Sequence, residues 1–231
     1  MPKKRLPTPT HFISTSAFLD VLYRYRWYLS LGALGVVLLV LGFWGYTRLK
    51  VRWEAEAQAL LAAALEVSEK LPAATEGEWP VGEVMTKLEG AVKTLTALRE
   101  RYRSTEAAGH ALLQIGDFSY RLGRYRDALT AYQRYLEQYP RGWAVLLAGL
   151  GKGHALEALG QLEEAAATYR SLAERYKGHS LTGEALTGLG RCLEGLMKRG
   201  EAKEVYQRIL KEYPGTPWSR LAERRLAYLE R

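Results

Sequence analysis

Apolar residues recur with helical spacing through most of the chain, and beyond residue 83 the spacing itself repeats. Gly116, Gly153 and Gly190 stand 37 residues apart, as do Ala128, Ala165 and Ala202, then Tyr132, Tyr169 and Tyr206, then Tyr139, Tyr176 and Tyr213. A fixed period of this size marks a stacked repeat, in which each unit buries its apolar face only against its neighbours. The pattern predicts first helices near 105–122, 143–159 and 181–197, second helices near 125–138, 162–176 and 201–212, and a terminal helix near 217–230. One period upstream, Ala91, Leu95 and Tyr102 fit the same series. A helix over 83–103 therefore reads as the second helix of a divergent first unit. Residues 53–70 would be its partner, and the Pro- and Gly-containing stretch 71–81 a loop inserted between them.

From Trp27 to Tyr46 the polar face disappears, leaving 20 residues without a charge. At about 1.5 Å rise per residue, such a helix spans a hydrocarbon core of about 30 Å. Trp27 and Tyr28 mark one end and Phe43, Trp44 and Tyr46 the other, where aromatic belts meet headgroups. Arg24 and Arg26 flank one side, Arg48, Lys50 and Arg52 the other. The run is too long for the apolar region of a signal peptide, about 7–15 residues, and no A-x-A-like site follows it. The segment reads as a retained single-pass anchor. Upstream, residues 1–13 form a proline-containing basic tail. Ser14, Thr15 or Ser16 caps a helix from near Ala17, whose Phe18, Leu19, Leu22 and Tyr25 suit the membrane interface. Lys3, Lys4, Arg5, Arg24 and Arg26 outweigh Asp20, whereas Glu54 and Glu56 soon dilute the basic residues beyond the anchor. That excess favours a cytoplasmic N-terminus with the repeats on the far side.

The expected organisation is thus a basic tail and interfacial helix (1–26), a transmembrane helix (27–47), a connecting helix and loop forming a divergent first repeat (48–82), and repeats with a capping helix (83–231). The fold class is all-α: one membrane helix followed by a superhelical solenoid of helix hairpins.

Charge changes this picture little. Of 33 basic and 25 acidic residues, the first 47 positions hold five and one, so the net +8 falls to +4 beyond the anchor. No basic tract with interleaved aromatics points to nucleic acid. The lone cysteine, Cys192, excludes an intramolecular disulfide.

Within the repeats, glycine inside a helix costs about 1 kcal/mol against alanine. Its recurrence at Gly116, Gly153 and Gly190 implies a close contact. Ala128, Ala165 and Ala202 would face the same crossing, and the tyrosines four residues on would fill it. Gly123 and Gly160 fall at the turn inside a unit, where Met197 stands in the third and Gly200 follows. Pro140 and Pro214 close two second helices, with Lys177 at the matching place in the other. Arg220, Glu223, Arg224 and Arg225 give the terminal helix the polar outer face a capping unit needs.

The segment LLQIGDFSYRLGRYRDALTAYQRYLEQYP resembles the tetratricopeptide repeat. Ile115–Gly116 matches its L-G, Ala128 and Tyr132 its A-x-x-x-F, and Pro140 its closing proline. Ser119 replaces the usual tyrosine, with Tyr120 beside it, and the unit is three residues longer than usual. The linkers between units look like those of Tol-Pal-associated and BamD-like envelope proteins. The layout of basic tail, membrane helix, Ala/Glu-rich helix and repeats resembles the YfgM-type family. That resemblance implies a right-handed solenoid facing the periplasm, beside the SecYEG translocon and its membrane-bound chaperone PpiD.

It also implies a protein-binding groove lined by the first helices: His110, Leu113, Asp117 and Tyr120, then Leu147, Leu150, His154 and Glu157, then Glu184, Thr187, Arg191 and Glu194. The mixture suits a peptide with an apolar anchor. The competing reading is that these positions only face solvent or the capping helix. The lysine and asparagine that hold C-terminal carboxylates in some relatives are absent from this face. None of His11, His110, His154 and His179 has a second metal-type ligand at i+3 or i+4, so no metal is expected. Cys192 reads as a packed small side chain. GLGKG at 149–153 lacks the first glycine and the Ser or Thr of a phosphate loop, at Leu146 and Gly153. Neither a catalytic constellation nor a cofactor fingerprint remains, so no enzyme activity, cofactor or small-molecule substrate is expected.

The function expected is a membrane-anchored scaffold of the bacterial inner membrane, partnered with translocon, chaperone or envelope-assembly proteins. Two alternatives stay open: a cytoplasm-facing adaptor, and a structural protein self-associating through residues 51–70.

Overall fold

A computed structural model describes residues 15–69 and 82–230. The basic tail (1–13), the candidate cap Ser14, His11 and the loop expected at 71–81 lie outside the described residues. Those described form helices α1 (Thr15–Glu69), α2 (Gly82–Arg101), α3 (Glu106–Arg121), α4 (Tyr125–Gln138), α5 (Val145–Ala158), α6 (Leu162–Arg175), α7 (Thr182–Gly195), α8 (Arg199–Glu212) and α9 (Pro217–Leu229), with no strand among them. The fold is all-α, and each helix expected from the period is present. The chain divides into two compact units at Arg52 and Trp53, so α1 contributes to both.

In the first unit the apolar run buries none of its described side chains. Trp27, Leu39 and Phe43 are 71%, 74% and 71% exposed, and the other large side chains described in the run are exposed too. Burying one such side chain is worth about 1.5–3 kcal/mol, so water is a poor solvent for this surface. By length and composition the helix could span a membrane. Its polar groups suit that environment. Ser30 Oγ donates to the Trp27 carbonyl at 2.9 Å and Thr47 Oγ1 to the Trp44 carbonyl at 2.8 Å. Both hydroxyls are thereby satisfied within the helix, as a medium without water requires. Arg26 lies over the Tyr23 ring and Arg48 over the Trp44 ring, placing a cation and an aromatic face together at each end.

In the second unit the end of α1 becomes part of the array. Ala57, Leu61 and Ala64 are buried in one cluster with Leu88, Ala91, Leu95 and Leu98 of α2. Tyr102 Oη donates to Glu56 at 2.6 Å. The Glu54 carboxylate accepts the Glu106 and Ala107 N–H groups at 3.0 and 3.2 Å, adding a negative charge to the N-terminus of α3 that Thr105 already caps.

Three helix hairpins follow, α3–α4, α5–α6 and α7–α8, each turned by the same backbone device. Gly123 and Gly160 have φ of 71° and 74°. Arg124 N donates to the Ser119 carbonyl and Gly123 N to that of Tyr120, with the same pair of bonds at Gly160–Gln161 and Met197–Lys198. This is the Schellman arrangement, which wants a left-handed residue after the helix. Met197 occupies that place in the third unit at φ 61°. The turn thus keeps its shape where its residue has changed.

The terminal helix corrects one expectation. Arg220, Glu223 and Arg224 are exposed, but Arg225 turns inward and binds both carboxylate oxygens of Glu194, its Nε 2.9 Å from Oε1.

Candidate protein-binding groove

The first-helix face is built around tyrosines lying on glycines. Added to Gly116 of α3, a Cβ would stand 2.6 Å from the Tyr132 ring, and added to Gly151 of α5, 2.4 Å from the same ring. Tyr169 lies in the same way between Gly153 and Gly188, at 2.4 and 2.5 Å. Tyr206 lies on Gly190 at 2.6 Å. The Tyr132 and Tyr169 rings therefore each rest on two successive first helices, which cannot approach further without displacing them. The second glycine series, Gly151 and Gly188, also keeps the 37-residue period. It was a readable signal that the sequence reading passed over.

The phenol oxygens reach carboxylates on the first helices. Tyr132 Oη donates to Asp117 at 2.5 Å, Tyr169 Oη to Glu157 at 3.2 Å and Tyr206 Oη to Glu194 at 2.6 Å. Glu157 is also held by Arg191 in a two-pronged pair, Nε–Oε1 at 2.7 Å and Nη2–Oε2 at 2.8 Å. The phenol bonds thus close each hairpin within its own unit, whereas the Glu157–Arg191 pair joins α5 to α7 of the next.

Beside them lies a cleft of about 380 Å³ between α3, α5 and α7. It gathers seven of the twelve expected groove residues: Leu113, Asp117, Tyr120, Leu147, Leu150, His154 and Glu184. His110 adjoins through its ring, 5.0 Å from that of Trp143, which also lines the cleft. The other four go elsewhere. Thr187 is buried, with its hydroxyl on the Gly183 carbonyl at 2.8 Å. Glu157, Arg191 and Glu194 are engaged in the ion pairs that join the units. Sequence separation carried a trace of this. Glu157 and Arg191 are 34 residues apart, one period less nearly a helical turn.

Sequence reasoning also missed Trp143, 68% exposed on the loop before α5, and Arg121 and Gln114 at the rim. Trp143 falls outside the repeat series, so periodicity could not mark it. A wider cleft of about 840 Å³, lined partly by Arg99, Arg103 and Arg134, lies at the ends of α2, α3 and α4, away from the expected groove residues.

Burial governs the charges of the groove. It pushes the Asp117 carboxyl up, against the Tyr132 hydrogen bond and the Arg121 charge. Glu184 is likewise pushed up by burial, against Arg191. Burial and the Arg191 cation hold His154 below the usual imidazole value. Its Nε2, 3.5 Å from Glu184 Oε1, is therefore a neutral contact near pH 7 and leaves that carboxylate without a cationic partner. Burial would raise Glu157 too, but the Arg191 hydrogen bonds and charge win and hold it low. Cys192 is fully buried and its thiol is pushed up to about 12 by burial, which makes it a poor nucleophile. No group of three metal-type ligands occurs among the described residues.

Sequence models of the tetratricopeptide repeat match residues 110–141 and 150–217. Among solved structures, the chain is similar to MamA (41-end) from Desulfovibrio magneticus RS-1, at 17% identity and a TM-score of 0.58 over 75% of this chain and 83% of that one. It is also similar to a tetratricopeptide repeat protein from Parabacteroides merdae ATCC 43184, at 18% identity and a TM-score of 0.59, covering 75% of this chain and 60% of the other. At these identities the likeness is one of fold. No curated protein matches in sequence. The chain thus carries tetratricopeptide repeats, an architecture of protein–protein interaction scaffolds.

Proposed function

We propose that this protein is a membrane-anchored scaffold that binds other proteins through the cleft between α3, α5 and α7. The observation that carries the reading is the pairing of two surfaces unsuited to water. One is an apolar helix whose described large side chains are exposed, and the other is a cleft whose rim holds the exposed Trp143 and Leu147. We further assign residues 1–26 to a cytoplasmic tail and interfacial helix, 27–47 to the span, 48–82 to a divergent first repeat, and 83–231 to an array beyond the membrane. The basic excess before the anchor supports that orientation. The layout supports a YfgM-like place in the bacterial inner membrane, near a translocon, chaperone or envelope-assembly complex.

Protease digestion of spheroplasts tests the orientation. The repeats are expected to be cut while the membrane is intact, and full protection would instead favour a cytoplasm-facing adaptor. In-membrane crosslinking through a photoreactive residue at position 143 tests the partner reading. A discrete heterologous adduct is expected, whereas adducts formed solely with a second copy would favour a self-associating structural protein.

A further inference from the structure

The cleft has a charge pattern that narrows its occupant. One wall is apolar, formed by Leu113, Leu150 and the exposed pair Trp143 and Leu147. Carboxylates stand on two of the three helices around it, Asp117 on α3 and Glu184 on α7. The partner of Asp117 is a neutral phenol at 2.5 Å, and that of Glu184 is an imidazole at 3.5 Å. The cation that acts on Glu184, Arg191, is already bound through two bonds to Glu157. Arg121 at the rim is exposed to water and offsets one charge at most. A half-buried carboxylate gains most from an opposite charge brought into hydrogen-bond contact, because the surrounding protein screens it less than water does.

We propose that the cleft selects a peptide segment presenting an apolar side chain beside a lysine or arginine, the apolar group packing on Trp143 and Leu147 and the cation seated between Asp117 and Glu184. This rests on the reading of the cleft as the protein-binding site and specifies its ligand. At about 380 Å³ the space admits side chains of a segment rather than a folded surface. The selection is opposite in sign to that of repeats that capture carboxylate tails.

The groups facing the cation set its pH dependence. Asp117 and Glu184 protonate at higher pH than ordinary carboxyls, and His154, neutral near pH 7, gains a charge on acidification. All three changes weaken the hold on the ligand's cation as pH falls, while Arg191 stays charged and the Glu157 paired with it keeps its charge to lower pH.

The test is selection of displayed random decapeptides on the full chain held in lipid nanodiscs, at pH 7.5 and pH 5. The selected pool is expected to be enriched about tenfold in lysine and arginine over aspartate and glutamate beside an apolar residue, with the bias shrinking at pH 5. In the Asp117→Asn/Glu184→Gln variant, where the amide at position 117 can still accept the Tyr132 hydrogen bond, the bias should vanish while apolar enrichment persists. Equal melting temperatures of variant and wild type show that the fold is kept. An acidic or charge-neutral pool, or a basic bias that survives the double substitution, overturns the charge assignment but leaves the groove standing if Trp143→Ala abolishes enrichment. A pool with no enrichment of any kind overturns both.

Discussion

Glycines in the two units do opposite work. In the apolar run, Gly32, Gly35, Gly42 and Gly45 have open space where a Cβ would go. In the repeats, Gly116, Gly151, Gly153, Gly188 and Gly190 each lie under a tyrosine ring at 2.4–2.6 Å from that position. The same residue is thus a bare surface in one unit and a packing socket in the other. The repeats bury their apolar groups against their own neighbours. Among the described residues the first unit's apolar run has no packing neighbour, and its charge-free length suits lipid.

Substitutions at both kinds of position test this contrast. The largest effect is expected at Tyr169, fully buried between two glycines of successive units. Tyr169→Ala should cost about 3–5 kcal/mol, as large aromatic truncations in cores do, read as a fall in the urea midpoint of the full chain in detergent. Next, Gly153→Ala should cost about 1–3 kcal/mol, because the ring it meets is pinned from the other side by Gly188 and cannot retreat. Gly35→Ala is its control and should leave the same midpoint unchanged. Equal effects at the two glycines would erase the contrast.

Glu157→Gln comes third, at about 1 kcal/mol near pH 7, since its partner Arg191 is 38% exposed and solvent screens the pair. The sign follows from its depressed carboxyl. The pair's contribution is present above the ordinary glutamate value of about 4.5 and is lost as pH falls through the lower folded value. Wild type should therefore lose stability in that acid window more steeply than the variant, in melts run from pH 6 to pH 3. Asp117 and Glu184, whose carboxyls are raised, contribute in the opposite direction, their burial cost easing as they protonate. The smallest effect is a gain. Met197 is exposed and holds φ 61° where the other two units have glycine. Met197→Gly should raise stability by about 1 kcal/mol by relieving the left-handed backbone of a side-chain-bearing residue, seen as a small upward shift of the melting curve.

Much of the architecture is written in local pattern. The 37-residue period placed the helices, the glycine–tyrosine register announced the close crossings, and the charge-free run from Trp27 to Tyr46 announced the apolar helix. Periodicity can do this because each unit meets its neighbours in the same way, so a contact repeated in space is repeated in sequence. The groove was legible only in part, because residues on one helix face have two possible destinations. Leu147, His154 and Glu184 stay at the cleft, whereas Glu157, Arg191 and Glu194 turn to neighbouring units and Thr187 bonds its own helix.

Sequence alone determined the repeat, the helices and the apolar anchor-like run, since all three depend on spacing and composition that each residue carries with it. Tertiary structure decided which carboxylates are paired and which are left uncompensated, and it brought the non-periodic Trp143 to the cleft. Those outcomes depend on distances of a few ångströms between helices some 30 residues apart, which spacing along the chain does not resolve.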